Sequence, residues 1–356
     1  MRRRDVAIVI LAGGQGSRFW PMSRTDHPKQ FLNLGDSHHS LIQSTVERLE
    51  SLVERENIVV ITARHLVNLV HEHVPGVKVL AEPFGRNTAA ALALGACWLK
   101  AQGFKGAMIS LPADHTVAEK KNLISTLERA VAVALSEDQL VTVGIPPERP
   151  DTAFGYIQKG AARGEKIFEV KRFFEKPSED RAKRYLESGD FYWNSGMFAW
   201  RPEVYLDALE QFLPEMSLSF KSLHLNREGE PDEGELERVY GEVESISVDF
   251  GVMEHAKNVT VVEADPYGWS DVGSWDAWAD HFSKDQLGNL LHGDCVAIEG
   301  QGNVVSAAGR FIALVGTDDL VVIDSDDAVL ICPRSRVQEV KKVVEHLKSI
   351  GRDDLV

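Results

Sequence analysis

The sequence predicts an α/β protein with a mixed, mostly parallel sheet and a small β-rich unit towards its C-terminal end. Two patterns indicate this fold class. Short apolar runs alternate with helix-length segments over the first 150 residues, and short strand-like runs recur every eight or nine residues after residue 283. Alternation of this kind is typical of a parallel sheet flanked by helices. Such sheets bind ligands beyond the carboxyl ends of their strands, so we expect a site in the loops at 12–30 and 112–116.

The first strand is predicted at Val6–Leu11, which is continuously apolar and rich in β-branched residues, as expected of a strand covered on both faces. A helix over 40–53 follows, because its apolar residues recur at helical spacing. The other elements of this part are, in chain order, a strand at Ile58–Ile61, an alanine-rich helix that Asn87 or Thr88 caps and that runs towards Ala101, a strand at Ala107–Leu111, a helix over 122–135 and a strand at Leu140–Gly144.

The pattern loosens between residues 150 and 270. The elements predicted there are strands at Tyr156–Gln158, Phe168–Phe174 and Gly196–Trp200 and helices over 179–188 and 202–211. The later short strands begin near residues 295, 303, 311, 320 and 328, a regular spacing that fits either a solenoid or a sandwich, and a charged helix over 335–348 follows them. We therefore predict a large domain over 1–283 and a small one over 284–356.

Composition and charge narrow the classes of partner. The chain is 44% apolar and 26% charged, as in an average globular protein. It carries 39 Lys and Arg against 54 Asp and Glu, a net charge of −15, which argues against a nucleic-acid partner. No run approaches the roughly 18 apolar residues of a membrane span, so no membrane partner is expected. The three cysteines are widely spaced, which predicts a soluble protein of the reducing cytoplasm rather than a disulfide framework or a zinc site.

A glycine-rich loop directly follows the first predicted strand. Gly13, Gly14 and Gly16 let the backbone approach a ligand closely and point N–H groups at phosphate oxygens. Arg18 and Lys29 add positive charge, the first as a planar fork and the second as a point charge. The loop therefore predicts a phosphate site.

Two better-known phosphate motifs do not fit this loop. A dinucleotide-binding fingerprint needs a third glycine where Phe19 stands and an acidic residue closing the second strand, which instead ends in Ile61-Thr62. A P-loop needs a Gly-Lys-Ser/Thr sequence, which is absent.

Four further segments carry chemically useful side chains, each with a simpler explanation beside it. Asp114 follows a strand and could hold Mg²⁺ or cap the next turn. Glu175 and Lys176 end a strand, where neighbours point to opposite faces, so one could reach a phosphate and the other sugar hydroxyls; an exposed strand end is the alternative. Asn194 suits sugar recognition but also turns, and Asp271 could hold a metal or cap a helix.

Taken together and in this order, these segments resemble the sugar-1-phosphate nucleotidyltransferases. The resemblance covers residues 6–280 and rests on the segments Leu11–Phe31, Ala81–Thr88, Leu111–His115, Phe154–Tyr156, Glu175–Pro177, Asn194–Gly196 and Trp269–Trp275. Ser17, Phe19 and Met22 stand where Thr, Leu and Leu are more usual, and these size-preserving departures leave phosphate binding intact. The resemblance implies a Rossmann-like nucleotidyltransferase sheet and, for the tail, a left-handed β-helix that joins two copies into a homodimer.

The resemblance also implies roles for individual residues. Catalysis would depend on Arg18, Lys29 and Lys176, and Mg²⁺ would be held by Asp114 and Asp271. Nucleotide binding would fall to Leu11, Ala12, Gly13, Gly14, Gly16, Ser17, Arg18, Lys29, Glu82, Arg86, Asn87, Thr88, Pro112 and Asp114. The sugar phosphate would be bound by Gly155, Tyr156, Glu175, Lys176, Asn194 and Asp271.

The implied reaction is transfer of GMP from GTP to mannose 1-phosphate, giving GDP-mannose and pyrophosphate. A phosphate oxygen of the sugar phosphate attacks the α-phosphorus in line, and no general base is required because the attacking phosphate is already ionised. Two alternatives stay open: the same chemistry on another hexose 1-phosphate or nucleotide, such as glucose 1-phosphate or ATP, and a non-catalytic regulatory subunit of the same fold. A regulatory subunit would be expected to have lost the phosphate and metal residues, all of which are present here.

Overall fold

The protein folds into two compact units. The structure is a computed structural model that describes residues 2–34, 38–226 and 229–356. The first unit comprises Met1–Gly13, Thr45–Ala113 and Val117–Trp269, and the second comprises Gly14–Ser44, Asp114–Thr116 and Ser270–Val356. The glycine-rich loop therefore belongs to the same unit as the tail from Gly14 onwards, whereas Gly13 belongs to the first unit. The predicted division into a large domain over 1–283 and a small one over 284–356 is a different one, since it concerns parts that would fold separately. That division stays a prediction.

The first unit is built on a nine-stranded mixed sheet. Up to residue 270 the strands are β1 (Val6–Leu11), β2 (Ile58–Ala63), β3 (Lys78–Glu82), β4 (Ala107–Pro112), β5 (Thr116–Val117), β6 (Leu140–Ile145), β7 (Tyr156–Gly164), β8 (Ile167–Phe174), β9 (Phe191–Trp200), β10 (Val259–Glu263) and β11 (Trp269–Ser270). The large sheet has the order β3-β2-β1-β4-β9-β6-β10-β8-β7, and β5 pairs with β11 in a separate ribbon. Only β8 and β9 run against the other seven strands, which confirms the mixed, mostly parallel sheet.

Ten α-helices lie within the described residues: α1 (Leu41–Leu49), α2 (Val67–His73), α3 (Asn87–Ala101), α4 (Lys120–Ser136), α5 (Glu179–Ser188), α6 (Pro202–Phe212), α7 (Pro214–Lys221), α8 (Glu233–Glu242), α9 (Trp275–Ala279) and α10 (Lys341–Ser349). Helix α3 is apolar on every side and mostly buried, as expected of a helix packed against a sheet. Helix α5 ends at Gly189, whose left-handed conformation is a common helix terminator. No helix in these described ranges is long and apolar enough to cross a membrane.

The tail of the second unit is a stack of short strands. They are β12 (Leu290–His292), β13 (Cys295–Ile298), β14 (Val304–Ser306), β15 (Ile312–Val315), β16 (Leu320–Asp324) and β17 (Val329–Pro333). The parallel pairs Leu290 with Val304 and Cys295 with Ile312 lie fourteen and seventeen residues apart. Each turn of the stack therefore contains two strands, which explains the spacing of eight or nine. Of the two predicted alternatives, this parallel stacking confirms the β-helix-like solenoid and excludes the sandwich.

Buried polar residues connect the turns of this stack. The Asn289 side chain donates to the Gly300 carbonyl at 3.0 Å and accepts from the Asn303 backbone at 2.9 Å. Asn303 in turn donates to the Thr317 carbonyl at 2.7 Å. These bonds satisfy backbone groups at the corners, where the strands cannot do so. Antiparallel pairing of β17 with β16 then ends the stack.

Candidate active site

The glycine-rich loop folds on itself in the second unit. Gly16 has the left-handed φ of 61°, and a side chain there would overlap the Cβ of Lys29, so only glycine fits. The Ser23 hydroxyl donates to the Gly16 carbonyl at 2.7 Å. A 3₁₀ turn at Ser17–Phe19 follows, and its Phe19 ring packs 4.9 Å from that of Trp275. The backbone that should meet phosphate oxygens is therefore held before any ligand arrives.

Lys29 joins the two predicted metal-binding segments. Its ammonium is buried and donates to Asp114 Oδ2 at 2.8 Å and to the Asp271 backbone carbonyl at 2.6 Å. A buried cation is tolerated only when it is paired in this way. Burial would raise the pKa of Asp114, but the charges of Lys29 and His115 outweigh it and hold that pKa below its usual value. Asp114 is therefore a carboxylate at neutral pH.

The helix-cap explanation for Asp271 is wrong. Ser274 is the residue that caps α9, because its hydroxyl accepts from the Ala277 backbone at 3.4 Å. Val272, next to Asp271, is fully buried with a φ of 43°, an unusual conformation for a β-branched residue. Strain of this kind clusters at functional sites. The half-buried Asp271 thus sits on a constrained backbone beside Lys29.

Asp114 and Asp271, whose segments Lys29 joins, are the candidates for holding a magnesium ion that substrate phosphates help to bind. Over the described ranges, no three His, Cys, Asp or Glu residues form a group that could hold a metal ion. Mg²⁺ is usually bound by only one or two carboxylates, with phosphates and water completing its shell. Asp114 and Asp271 fit that smaller requirement.

Arg18 projects from the same loop and meets the tail. Its guanidinium donates to the Gln338 side chain at 3.0 Å and remains partly exposed. Ser17 precedes it at the start of the 3₁₀ turn. The second unit therefore contains Ser17, Arg18, Lys29, Asp114 and Asp271, and the structure brings the last three of them into contact.

The other predicted residues lie in the first unit, except Gly14, which lies in the second unit with Gly16. Leu11 and Pro112 are register partners at the ends of β1 and β4. Ala12 and Gly13 continue from β1, with the Ala12 backbone donating to the Ile61 carbonyl at 2.8 Å. This edge of the sheet is where the sequence predicts ligand binding.

Glu82 is a buried carboxylate at the end of β3. A side chain at Gly13 would come within 3.3 Å of Glu82 Oε2, so the carboxylate lies against the start of the glycine-rich loop. Burial raises the pKa of Glu82 to about 7, against an opposing effect of the Tyr240 hydroxyl. Its Oε1 is buried without a hydrogen-bond partner among the described residues. An acceptor of this kind is suited to receive a ligand donor.

The segment that follows Glu82 is held by its own polar groups. The Arg86 guanidinium donates to the Tyr240 carbonyl at 2.6 Å. Asn87 has a φ of 64°, and its side chain accepts from the Thr88 backbone at 2.8 Å. The prediction that Asn87 or Thr88 caps α3 is wrong, because Arg86 occupies the cap position and makes no side-chain cap bond.

A second polar cluster surrounds Gly155. A Cβ at Gly155 would lie 2.8 Å from Glu175 Oε1 and 3.5 Å from Asn194 Cβ, so a side chain there would fill the space between them. Asn194 donates to Asp249 Oδ1 at 2.6 Å. Burial raises the pKa of Glu175, and the charge of Asp249 raises it further. Tyr156 is fully buried, and its hydroxyl accepts from a loop backbone amide at 3.0 Å.

Glu175 and Lys176 are not placed as strand neighbours. Strand β8 ends at Phe174, so both lie in the turn beyond it, and Lys176 has a φ of 42°. The alternation argument for opposite faces therefore does not apply. The left-handed backbone of Lys176, immediately before Pro177, instead sets the direction of its side chain.

Asp249 is the main site residue that sequence reasoning missed. It begins a π-helical turn, Asp249–Met253, a rare element that is frequent at functional sites. Burial raises its pKa, against the hydrogen bond from Asn194. The available signal was a lone carboxylate among apolar residues, which indicates a charge that must be paired when buried.

Two protein-family models match the chain, one over most of its length and one over the tail. The nucleotidyl transferase family model matches residues 7–287, and the MannoseP isomerase/GMP-like beta-helix domain model matches residues 293–347. The first match covers most of the catalytic motifs described above.

Individual relatives resemble the chain over nearly all its length. A putative mannose-1-phosphate guanylyltransferase from Vibrio cholerae is 38% identical over 97% of this chain and 75% of the relative. A mannose-1-phosphate guanylyltransferase from Salmonella muenchen is also 38% identical, over 97% of this chain and 74% of the relative. The crystal structure of mannose-1-phosphate geranyltransferase from Thermus thermophilus is 34% identical, has a TM-score of 0.87 and covers 97% of this chain and 99% of that chain. This chain belongs to the nucleotidyltransferase family and is a nucleotidyltransferase enzyme.

Proposed function

We propose that this enzyme transfers GMP from GTP to α-D-mannose 1-phosphate, giving GDP-mannose and pyrophosphate. The observation that carries the proposal is the cluster of Lys29, Asp114 and Asp271, which joins three motif segments from distant parts of the chain. The names of the relatives point to mannose 1-phosphate and to a guanylyl group.

The reaction exchanges one phosphorus–oxygen bond for another. A phosphate oxygen of mannose 1-phosphate forms a bond to the α-phosphorus of GTP, and the bond from that phosphorus to the bridging oxygen of the β-phosphate breaks. The electron pair leaves with pyrophosphate. Because two polyanions must meet, positioning and charge neutralisation supply most of the rate enhancement.

The second unit would supply the groups that neutralise phosphate charge. Asp114 and Asp271 would hold Mg²⁺, which offsets negative charge on the phosphates when bound. Lys29 keeps Asp114 ionised and fixes the Asp271 backbone. Arg18 and the N–H groups of the glycine-rich loop would contact the triphosphate.

The first unit would recognise the base through the segment from Glu82 to Thr88. Guanine presents N–H donors at the edge where adenine presents an acceptor. The buried Oε1 of Glu82, which lacks a partner among the described residues, is an acceptor that would favour guanine. A mispaired buried group costs about 1–3 kcal/mol, enough to discriminate against ATP.

The cluster around Gly155 would bind the sugar, and Lys176 would bind its phosphate. Glu175 and Asn194 offer hydroxyl-binding groups, and Gly155 leaves room beside them. Tyr156 would support this site from beneath, since its own hydroxyl is already bonded.

We also place this enzyme in the cytoplasm as a homodimer that forms through the tail. All three cysteines are free, as in a reducing compartment. The tail exposes a group of large apolar side chains, whose exposed fractions are Ile298 51%, Phe311 62%, Val315 65%, Val329 47% and Ile331 65%. Ile298 and Val315 are register neighbours, and Val329 and Ile331 lie two residues apart on β17. Exposed apolar neighbours mark interaction surfaces, and a second copy would cover them.

Pyrophosphate release tests the proposed function. The purified chain would be assayed with Mg²⁺ and each of GTP, ATP, UTP and CTP, crossed with mannose 1-phosphate and glucose 1-phosphate. We expect release with GTP and mannose 1-phosphate above every other pair. More release with another pair would show that the proposed substrates are wrong. No pyrophosphate release with any pair would favour a regulatory subunit.

A further inference from the structure

Two residues of the glycine-rich segment have no part in the reaction described above. Trp20 and Arg24 lie beyond the phosphate-binding turn, yet both are directed towards the last residues of the tail. The Trp20 indole donates to the Leu355 carbonyl at 2.8 Å, and the Arg24 guanidinium donates to the same oxygen at 2.5 Å. Two side chains from one loop thus share one distant carbonyl.

Further contacts between the same segments reinforce this pair. Arg24 also forms an ion pair with Asp327 at 2.6 Å, and its side chain is only 14% exposed. Its guanidinium lies 5.6 Å from the centre of the Trp20 ring, so the two donors also stack on each other. The Thr25 backbone donates to the Val356 carbonyl at 3.2 Å.

The anchored residues connect directly to the parts of the loop that face the substrates. Ser23, the neighbour of Arg24, donates its hydroxyl to the Gly16 carbonyl at 2.7 Å. The Trp20 carbonyl accepts from the Trp275 indole at 3.1 Å, and Trp275 lies four residues beyond Asp271. A shift at Leu355 therefore reaches the glycine turn through Arg24 and Ser23 and the aspartate segment through Trp20, with two hydrogen bonds on each path.

We propose that Trp20 and Arg24 are positioning residues that fasten the triphosphate-binding turn to the end of the tail, through Leu355 and Asp327. The inference rests on the proposed function, because it assumes that the turn binds the nucleotide. The tail then has a catalytic consequence besides any role in assembly.

The physical basis is preorganisation. The loop contains only short 3₁₀ turns, so little of its backbone is fixed by secondary structure of its own. Ordering a free backbone costs about 1–2 kcal/mol per residue, and a loop that is fixed beforehand does not incur that cost on binding. Loosening the anchor should therefore weaken nucleotide binding selectively.

The test compares four single variants with the unaltered chain. Arg24→Gln and Trp20→Phe remove the donors to Leu355. Asp327→Asn removes the ion pair from the tail side, and Asp326→Asn is its matched control, since it removes the same charge at the next position. GTP affinity is measured by isothermal titration calorimetry without sugar phosphate, together with the KM for each substrate and the melting temperature.

We expect Arg24→Gln to weaken GTP binding about tenfold and Trp20→Phe about threefold, as loss of a charged and a neutral hydrogen bond implies. Asp327→Asn should weaken it about twofold, because the ion pair is partly exposed. Asp326→Asn should bind GTP as the unaltered chain does. The KM for the sugar phosphate should stay unchanged in the variants that fold. The melting temperature should fall in Arg24→Gln and Trp20→Phe, whose side chains are largely buried, and stay unchanged in Asp326→Asn.

Unchanged GTP affinity in Arg24→Gln and Trp20→Phe would overturn the inference and leave the proposed function standing. Equal losses for both substrates with a lowered melting temperature would also overturn it, since they indicate a structural role only. If Arg24→Gln does not fold, GTP affinity is compared between Asp327→Asn and Asp326→Asn. Weaker binding in Asp327→Asn would support the anchor, and equal binding would overturn it. If the unaltered chain prefers ATP, the proposed base specificity fails, and the same ratios measured with ATP still test the anchor. If it binds no nucleoside triphosphate, both proposals fail.

Discussion

The two polar clusters of this enzyme are built on opposite electrostatic principles. In the second unit, Lys29 is buried between an aspartate carboxylate and a backbone carbonyl, and the pKa of Asp114 lies below its usual value. In the first unit, burial raises the pKa values of the Glu175 and Asp249 carboxylates, and the charge of Asp249 raises that of Glu175 further. The first arrangement suits phosphate and metal, and the second suits neutral hydroxyl donors. The charge pattern therefore supports the proposed division of tasks between the two clusters.

The largest effect is expected from removing one charge in the Lys29 cluster. Asp271→Asn should lower kcat about a thousandfold in the presence of Mg²⁺, because the carboxylate proposed to bind the metal is lost while the backbone bond to Lys29 remains. Pyrophosphate release and a thermal melt measure activity and folding together. Asp280→Asn, an exposed residue paired with Lys284, is the control. Full activity in Asp271→Asn would remove Asp271 from the metal site.

A smaller and different effect is expected in the other cluster. Asp249→Asn should raise the KM for mannose 1-phosphate about tenfold, since it removes the charge that strengthens the bond from Asn194 and turns one acceptor oxygen into a donor. The KM for GTP should not change. The exposed Asp207→Asn serves as a control on the same unit. A rise in the KM for GTP alone would contradict the assignment of this cluster to the sugar.

Glu82 offers a pH-dependent test, because its pKa is raised to about 7 from the ordinary 4.5. A raised pKa means that the folded state holds the proton more tightly, so this stabilisation is fully present below pH 4.5 and is lost as the pH rises through 7. Glu82→Gln should therefore raise the free energy of unfolding at pH 8 by up to about 3 kcal/mol relative to the unaltered chain, with little difference at pH 4.5.

The same variant should lose its preference for GTP over ATP, measured as a ratio of affinities at pH 8. Thermal melts at both pH values give the stability difference. A stability difference that is independent of pH would show that Glu82 titrates normally in the folded chain.

The smallest effect on the single chain is expected at the tail surface. Ile331→Lys should leave the melting temperature of the monomer almost unchanged, because the side chain is 65% exposed. It should shift the chain from dimer to monomer in light scattering, since a charge would be buried at the proposed contact. Leu218→Lys is the matched control, because Leu218 is 67% exposed on a helix of the other unit. An unchanged assembly in Ile331→Lys would rule out this face as the dimer contact.

Most of the fold could be predicted because hydrophobic periodicity is a local signal. Strand Val6–Leu11 and helix Glu179–Ser188 have the bounds that their sequence patterns predict. The tail strands could be placed by their spacing, but two strands per turn became evident only from the pairing of Cys295 with Ile312. Short strands such as β3 and β10 were missed, because five residues carry too little periodicity.

The candidate site was less accessible to sequence reasoning. Side chains such as Lys29 and Asp114 could be named from their motifs, but their ion pair spans 85 residues and follows only from the fold. Asp249 lacks a motif, and the left-handed backbone at Lys176 overrides the alternation expected of a strand. The anchor at Leu355 is a backbone carbonyl. Because every residue has one, the residue type at this position could not predict the contact.

The comparison between the clusters is tested most directly by one pair of KM measurements. Arg18→Gln and Glu175→Gln each change one charged side chain, the first in the phosphate loop and the second beside Gly155. Steady-state pyrophosphate release gives the KM for GTP and for mannose 1-phosphate in both variants. We predict that Arg18→Gln raises only the KM for GTP and that Glu175→Gln raises only the KM for mannose 1-phosphate. If both variants raise the KM for the same substrate, the division of tasks between the two clusters is wrong.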